Sequence, residues 1–173
     1  MNQVRITSGI YRGRKIETPG GKTHPMGERE RLALFNMISE FIPNTLVLDA
    51  FSGSGALGIE ALSRGASNVV FIEKDRKAEN VIRKNLDKLG LPLTSICMDV
   101  KKFETNERFD VILADPPYDV LDIDVLKHLV KFLAISGVFV LSYPEEAPVL
   151  TGLRLKKTNS YAGANISIYT RVK

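Results

Sequence analysis

Residues 46–58, LVLDAFSGSGALG, decide the fold. Three apolar residues end at an acid, Asp49, and glycines follow at positions 53, 55 and 58. A segment suited to a helix then runs over 56–64 and ends at Gly65. This order predicts a strand, a glycine turn and a helix. In such a turn a ligand can approach bare backbone and meet the unpaired N–H groups of the helix start.

The composition excludes several classes of protein. The 173 residues are 44% hydrophobic and 25% charged, as is typical of a single globular domain. No apolar run approaches the roughly 20 residues that a membrane span needs, and residues 1–15 lack the apolar core of a signal peptide. The single cysteine, Cys97, and two distant histidines give no zinc-type spacing. We expect a cytoplasmic monomer that binds neither metal nor membrane.

The excess positive charge is confined to the N-terminal segment. Residues 1–31 hold seven bases and three acids, which accounts for the whole net charge of +4. A basic segment on a neutral domain is typical of a phosphate-binding arm, and a merely solvated terminus is the alternative. Short alternations over 4–19, broken by Gly9 and Gly13, predict a hairpin there, followed by a loop over 18–25.

Beyond this segment, apolar strands alternate with amphipathic helices. A helix is predicted over 28–42, with Arg31 on the edge of its apolar face. Continuous apolar strands between amphipathic helices indicate a parallel sheet covered on both faces, with Cys97 packed inside it. Two final segments, separated by SYAGA, predict a terminal antiparallel pair. The strands are predicted at 45–49, 69–73, 94–98, 109–114, 138–142, 153–157 and 165–173, and the later helices at 56–64, 76–89 and 124–134.

Four of the predicted strands end in polar or glycine-rich residues. The first ends at Asp49 and the glycine loop, and the next three end at Glu73, Asp99 and Asp115. Ligands of open α/β sheets bind at the carboxyl ends of the strands. We therefore expect these residues to meet in one site.

The glycine loop by itself fits two kinds of cofactor. Gly53-x-Gly55-x-x-Gly58 matches the dinucleotide fingerprint, and Glu73 lies 20 residues after Gly53, where an acid for ribose hydroxyls is expected. An NAD(P) oxidoreductase is thus one hypothesis. The residues after Gly58, however, are all accounted for by the predicted sheet and its helices, so none remain for a separate catalytic domain. The acid at Asp49 repels a pyrophosphate and attracts an ammonium. It therefore favours S-adenosylmethionine, whose adenine amine could donate to Asp99.

Residues 115–118, DPPY, are the most specific signal. The two prolines fix φ and donate no N–H, so the turn presents rigid carbonyls between a carboxylate and an aromatic ring. Tyr118 can stack on a planar base, while Asp115 and the Pro116 carbonyl can accept from its exocyclic amine. Such a group can hold the amine nitrogen in line with a methyl sulfonium. We assign Asp115, Pro116, Pro117 and Tyr118 to catalysis.

In this order, DAFSGSG, FIE, MDV and DPPY resemble a class I S-adenosylmethionine-dependent amino methyltransferase. With ITSGIYRGRKIETPGG and HPMGERERLALFN before them and SYAGANISIYTR after, nearly the whole chain resembles the RsmD family of bacterial 16S rRNA (guanine-N2)-methyltransferases. The resemblance implies a Rossmann-like, mostly parallel seven-stranded sheet with helices on both faces and a C-terminal antiparallel strand pair. It also implies a basic N-terminal arm over 1–26 and a methyltransferase domain over 27–173.

The resemblance implies roles for individual residues as well. The substrate would be guanine N2 of 16S rRNA or of a small-subunit assembly intermediate, and Arg29 and Arg31 would bridge cofactor and RNA. The cofactor would be held by Asp49, Phe51, Gly53, Gly55, Glu73, Lys74, Asp99, Val100 and Asp115. The RNA would be held by Arg5, Arg12, Arg14, Lys15, Arg29 and Arg31.

The chain departs from the family pattern at several positions. His24, Met26, Glu28 and Leu32 stand where Arg, Thr, Asp and Glu are usual, and Ser142-Tyr143 stands where the family tends to place an acid. Two other functions stay open: a DNA adenine-N6 methyltransferase, which would need a target-recognition insertion, and a non-catalytic RNA-binding or ribosome-assembly protein. A protein-glutamine N5-methyltransferase is disfavoured, because that family favours Asn before the prolines.

Overall fold

The computed structural model describes residues 2–20, 26–161 and 163–172. The N-terminal segment forms an antiparallel hairpin of β1 (Gln3–Arg5) and β2 (Lys15–Glu17), which confirms the predicted pair of short strands. Most of the loop predicted over 18–25, including His24, lies outside the described residues.

A seven-stranded sheet forms the centre of the molecule. Its strand order is β5-β4-β3-β6-β7-β9-β8, with the first five strands parallel and β9 antiparallel to both of its neighbours. The predicted fold class is therefore confirmed, including the antiparallel pair at the C-terminal end. The strands are β3 (Leu46–Asp49), β4 (Asn68–Glu73), β5 (Ser95–Cys97), β6 (Phe109–Ala114), β7 (Leu133–Tyr143), β8 (Leu153–Tyr161) and β9 (Ala164–Arg171).

Helices cover both faces of this sheet. On one face the hairpin and three helices pack into a cluster that includes Ile6, Phe35 and Ile82; on the other, α4 packs into a second cluster around Leu126. The helices are α1 (Glu28–Met37), α2 (Ala56–Ser63), α3 (Arg76–Leu89) and α4 (Ile123–Val130), with 3-10 turns at Ser39–Phe41, Val100–Lys102 and Tyr118–Val120.

Three predicted details of these elements are wrong. The helix predicted to run to residue 42 is interrupted after Met37 and continues only as a 3-10 turn. The helix predicted over 124–134 ends at Val130, because Leu133 already pairs with Phe109 in the sheet ahead of a register shift. Cys97 is exposed rather than packed in the core, because β5 is the edge strand.

Helix α2 is enclosed on all sides, which is unusual for a helix of an α/β sheet. Seven of its eight residues are buried, among them Gly58, Ile59 and Glu60. One side of the helix packs on the sheet, and the hairpin covers its outer side. The sequence of α2 is accordingly apolar almost all round.

The described part of the chain contains no helix of the length and apolar character that crossing a membrane requires. Within the same residues no group of three or more His, Cys, Asp or Glu side chains is arranged to hold a metal ion.

Candidate active site

The glycine loop joins β3 to α2 and uses its glycines for different purposes. Gly55 is the N-cap of α2 with φ of 80°, a left-handed conformation that favours glycine. A Cβ at Gly58 would lie 2.2 Å from the Phe71 ring, so this glycine lets α2 pack closely against β4. A Cβ at Gly53 would meet nothing within 4 Å. The loop is therefore open to a ligand at its first glycine.

Asp49 ends β3 beneath this loop and is only 1% exposed. Its Oδ2 accepts a hydrogen bond of 2.9 Å from the Gly58 N–H. The pKa of Asp49 is raised to about 7, mainly by burial and in part by the charges of Asp115 and Glu73, while the hydrogen bond from Gly58 opposes the rise. Because little offsets the cost of burying this negative charge, the Asp49 carboxylate is suited to a cationic ligand.

Glu73 ends β4 and fastens the loop to that strand. One carboxylate oxygen accepts from the Gly53 N–H and the other from the Asp75 N–H, each at 2.8 Å. Each oxygen keeps a second lone pair, so Glu73 can still accept from ribose hydroxyls.

Asp99 follows β5 and begins a 3-10 turn. Its Oδ1 accepts from the Lys101 N–H at 2.9 Å, which leaves Oδ2 for another donor. The neighbouring Val100 is buried in the second core cluster, and half-buried Phe51 packs against the same cluster. Lys74 is exposed at the end of β4. The predicted cofactor residues thus lie at the carboxyl ends of three adjacent strands.

The DPPY motif directly follows β6, beside β3. Asp115 is half-buried, Pro116 is buried and Pro117 is exposed. The Tyr118 hydroxyl and the Ser142 hydroxyl, at the end of β7, are hydrogen bonded at 2.6 Å. Burial raises the pKa of Asp115, and hydrogen bonding to Ser142 opposes that rise. The motif is therefore braced from the next strand.

Tyr118 also lines a cavity of about 680 Å³ next to the motif. Tyr118 is 37% exposed. Burial raises the pKa of the Tyr118 hydroxyl, the hydrogen bond with Ser142 opposes that rise, and the charges of Asp115 and Glu30 add to it. The cavity is large enough for a nucleobase and has an aromatic face on its wall. It is lined by Tyr118, Leu121, Tyr143, Pro144, Glu145 and Glu146.

Arg31 does not take the role that was predicted for it. The guanidinium is 1% exposed and lies 3.5 Å from the carboxylate of Glu60, itself fully buried. It also donates to the carbonyls of Met26 and Arg5. Burial lowers its pKa, against the attraction of Glu60. The prediction that Arg31 contacts RNA is wrong, because its side chain is enclosed where the hairpin, α1 and α2 meet.

The other residues predicted to contact RNA are exposed: four of them lie on the hairpin and the fifth lies on α1. Arg5 and Lys15 face each other across the hairpin. Arg12 and Arg14 lie in its turn, which is fastened to the C-terminal end of α2 by hydrogen bonds from Ile10 and Tyr11 to Ser63. This end of α2 is about 12 Å along the helix from the glycine loop. Arg29 is exposed on the first turn of α1.

Comparison with known proteins identifies the family. The family model described as "Conserved hypothetical protein 95" matches residues 4–170. This is the RsmD family. The chain belongs to it.

Individual relatives agree with this membership. Ribosomal RNA small subunit methyltransferase D of Haemophilus influenzae is 38% identical over 67% of the chain and 64% of its own length, and its Escherichia coli counterpart is 44% identical over 67% and 61%. These matches span less than two thirds of the relatives' own length. Putative rRNA methyltransferase YlbH of Bacillus subtilis is 30% identical over 97% of the chain and 99% of its own length. The solved structure of putative methyltransferase yhhF from Escherichia coli superposes with a TM-score of 0.88 at 29% identity, covering 98% of both chains.

Two residues with clear roles in the structure were not identified from the sequence, one beside the DPPY motif and one beneath the hairpin. Ser142 was noted only as the residue that replaces an acid, yet its hydroxyl braces Tyr118. Glu60 lies in the helix predicted over 56–64 and was given no role, yet it accepts from the backbone N–H groups of Thr7 and Ser8 and pairs with two arginines. A charged residue inside an otherwise apolar helix was the available signal for Glu60.

Proposed function

We propose that this protein transfers a methyl group from S-adenosylmethionine to the exocyclic N2 amine of a guanine in 16S rRNA. The observation that carries the proposal is the pairing of two features at one end of the sheet. One is the open glycine loop over the buried Asp49, and the other is the braced DPPY motif beside a base-sized cavity. The names of the RsmD relatives, as small-subunit rRNA methyltransferases, agree with this substrate.

The residues at the glycine loop suit the cofactor. Asp49 is buried, has a raised pKa and lies next to open backbone, which matches an ammonium group. Glu73 has free lone pairs for ribose hydroxyls, and the free Oδ2 of Asp99 suits an adenine amine. Phe51, Lys74 and Val100 border the same strand ends, Gly53 leaves room for the ligand, and Gly55 supplies the left-handed turn that begins α2. When bound, S-adenosylmethionine supplies an electrophilic methyl group on a sulfonium.

The DPPY motif would orient the attacking nitrogen. Guanine presents N1–H and the N2 amine side by side, and the carboxylate of Asp115 can accept from both. The carbonyl of Pro116 can accept the remaining amine hydrogen, while Pro117 keeps the turn rigid and Tyr118 stacks on the base. Asp115 also favours the positive charge that develops on the nitrogen during transfer.

The target guanine must leave its stack to reach this cavity, as in other enzymes that modify bases. The exposed bases of the hairpin, Arg5, Arg12, Arg14 and Lys15, would meanwhile hold RNA phosphates, together with Arg29 at the start of α1. The substrate would be 16S rRNA or a small-subunit assembly intermediate, and the enzyme would act as a cytoplasmic monomer.

An alternative methyl acceptor, adenine in DNA, receives no support from the structure. Only Leu121 and Asp122 lie between the 3-10 turn of the motif and α4, so there is no target-recognition insertion at this point. Isothermal titration with S-adenosylmethionine separates both methyltransferase functions from a non-catalytic RNA-binding protein, because only an enzyme of this kind requires the cofactor.

Substitution of Asp115 tests the proposed chemistry. Asp115→Ala should abolish methylation, with cofactor affinity held within a few-fold, because Asp115 acts mainly on the guanine. Asp124→Ala, which removes an acid that is 88% exposed on α4, is the matched control and should keep full activity. Mass spectrometry of rRNA from a deletion strain, complemented by each variant, identifies the modified base. A collapse of cofactor binding in Asp115→Ala would contradict this role, and an unmodified guanine N2 in the complemented strain would contradict the substrate.

A further inference from the structure

Three lysines form a line along the solvent side of α3. Lys77, Lys84 and Lys88 are spaced by seven and four residues, so at 3.6 residues per turn their side chains leave the helix in nearly the same direction. All three are exposed. The line is about 16 Å long.

The hairpin packs against α3 next to this line. Asn85, which lies between the lysine line and the buried face of the helix, accepts from the Glu17 N–H at 2.9 Å and donates to the Glu17 carbonyl at 2.9 Å. The Lys88 Nζ lies 3.4 Å from the carbonyl oxygen of Lys15. The lysine line and the basic face of the hairpin are therefore one continuous surface.

The other bases of α3 do not share this surface. Arg76 and Arg83 leave the helix on the side of Glu79, which faces β5 through its hydrogen bond with Ser95. Arg83 is also paired with Glu79 at 3.4 Å. The position between Lys77 and Lys84 in this line is Val81, and the acid Asp87 lies at the edge of the line beside Lys84.

The two ends of the line lie at different levels of the sheet. Lys77 is in the first turn of α3, just after Glu73, and is therefore level with the cofactor loop. Lys88 is in the last turn, beside the hairpin. The line thus connects the basic hairpin to the end of the sheet where the candidate active site lies.

We propose that Lys77, Lys84 and Lys88, together with Arg5 and Lys15, form a track that binds the phosphates of the substrate RNA. This inference rests on the proposed function and extends its RNA contacts from the hairpin to a second element. The three aligned lysines continue into Arg5 and Lys15, so the cations outnumber the neighbouring acids Asp87 and Glu17 and match the repeated charges of a phosphate backbone. The solvent side of α4 differs, because Asp122 and Asp124 pair with Lys101 and Lys127 there.

The experiment compares the full-length wild type with two variants of equal charge. Lys77→Gln/Lys84→Gln/Lys88→Gln removes the line, and Lys102→Gln/Lys127→Gln/Lys131→Gln, on α4, its C-cap and the adjoining 3-10 turn, removes three exposed lysines from the opposite face of the sheet. The RNA probes are naked 16S rRNA and 30S particles from a strain that lacks the enzyme. The measurements are RNA affinity between about 50 and 200 mM salt, the KM and kcat for RNA, and cofactor affinity.

The triple variant should bind RNA roughly 10- to 100-fold more weakly at low salt, with a salt slope smaller by about two, since each lost contact with single-stranded RNA contributes about 0.7. Its KM for RNA should rise while kcat and cofactor affinity stay unchanged, and the α4 variant should match the wild type.

Three results would overturn the proposal. The first is an unchanged slope and KM in the triple variant, with an active wild type, which leaves the proposed function intact. The second is an equal loss in the α4 variant, which indicates general charge rather than a track. The third is a wild type that binds and methylates neither RNA probe, which overturns the proposed function together with the track; an acidic protein would then be the partner to seek for this surface.

Discussion

Asp49 is the most deeply buried carboxylate of the candidate site. It is buried, it has a single hydrogen bond from the Gly58 N–H, and two other acids lie near it. Its pKa of about 7 means that it is partly protonated near neutral pH. Because the folded state holds this proton more tightly than the unfolded chain, Asp49 makes the free energy of unfolding fall as pH rises from about 4 to about 7.

If Asp49 binds the ammonium of S-adenosylmethionine, cofactor affinity must follow its ionisation. A carboxyl group with a pKa of about 7 is mostly neutral at pH 6, so we expect roughly tenfold weaker binding at pH 6 than at pH 7.5. Isothermal titration across this range measures the change, because an α-amino group with a pKa of about 7.7–8.0 stays mostly protonated up to pH 7.5. Asp49→Asn should bind weakly and with no pH dependence. A wild-type affinity that is constant over the same range would contradict the role of Asp49.

Single residues at the strand ends were predictable, because each acid directly follows an apolar run in the sequence. Arg31 and Ser142 were not. The partner of Arg31, Glu60, lies on another helix, and the partner of Ser142, Tyr118, follows another strand. Such pairs are created by the packing of distant segments, and no local spacing encodes them. The exposure of Cys97 was missed for the same reason, since only the strand order shows that β5 is an edge.

At the scale of elements, the hairpin turn and the end of α2 fit closely. Gly9 has φ of 80°, and a Cβ there would lie 1.7 Å from the Ser63 carbonyl oxygen. Gly13 has nearly the same φ, 82°, but nothing lies within 4 Å of its hypothetical Cβ. Substitution of Gly13 therefore tests backbone strain alone, whereas substitution of Gly9 tests backbone strain together with close contact.

Alanine at these two positions should have unequal effects. Gly13→Ala should cost about 1–2 kcal/mol, because its left-handed backbone is strained for any L side chain. Gly9→Ala carries the same strain and must also push the turn away from α2, for about 1–3 kcal/mol more. Denaturant unfolding measures both, and RNA affinity should fall further in Gly9→Ala because Arg12 and Arg14 are displaced. Equal losses of stability in the two variants would show that the turn does not depend on its contact with Ser63.

The elements themselves were predictable wherever periodicity is local. The helix over 76–89 was predicted with its observed bounds, because α3 has a strong apolar stripe, an Asp75 N-cap and a Gly90 C-cap. The boundary between α4 and β7 was not predictable. Residues 131–134 continue the helical pattern in sequence, but the pairing of Leu133 with Phe109 begins the strand there.

At the scale of the whole molecule, the hairpin belongs to the main core. Ile6 and Ile16 are 2% and 1% exposed and pack in the same cluster as the helices on that face. The hairpin also supplies the donors, at Thr7 and Ser8, that satisfy the buried Glu60. The boundary at residue 26 between an arm and a methyltransferase domain stays a prediction. The packing of the hairpin favours folding of the chain as one cooperative unit.

Removal of the hairpin tests this cooperativity. A chain of residues 27–173 loses the burial of two isoleucines, worth about 3–6 kcal/mol, against a typical total stability of about 5–15 kcal/mol. It also exposes the outer side of α2 and leaves Glu60, with Arg31 and Arg64, without the hairpin's hydrogen bonds. We expect this chain to aggregate or to lose its cooperative thermal transition, by circular dichroism and calorimetry. The full chain with Arg12→Gln and Arg14→Gln is the control, since it loses hairpin charge but should unfold as the wild type does. A truncated chain that unfolds cooperatively and binds S-adenosylmethionine would establish the hairpin as a separable arm.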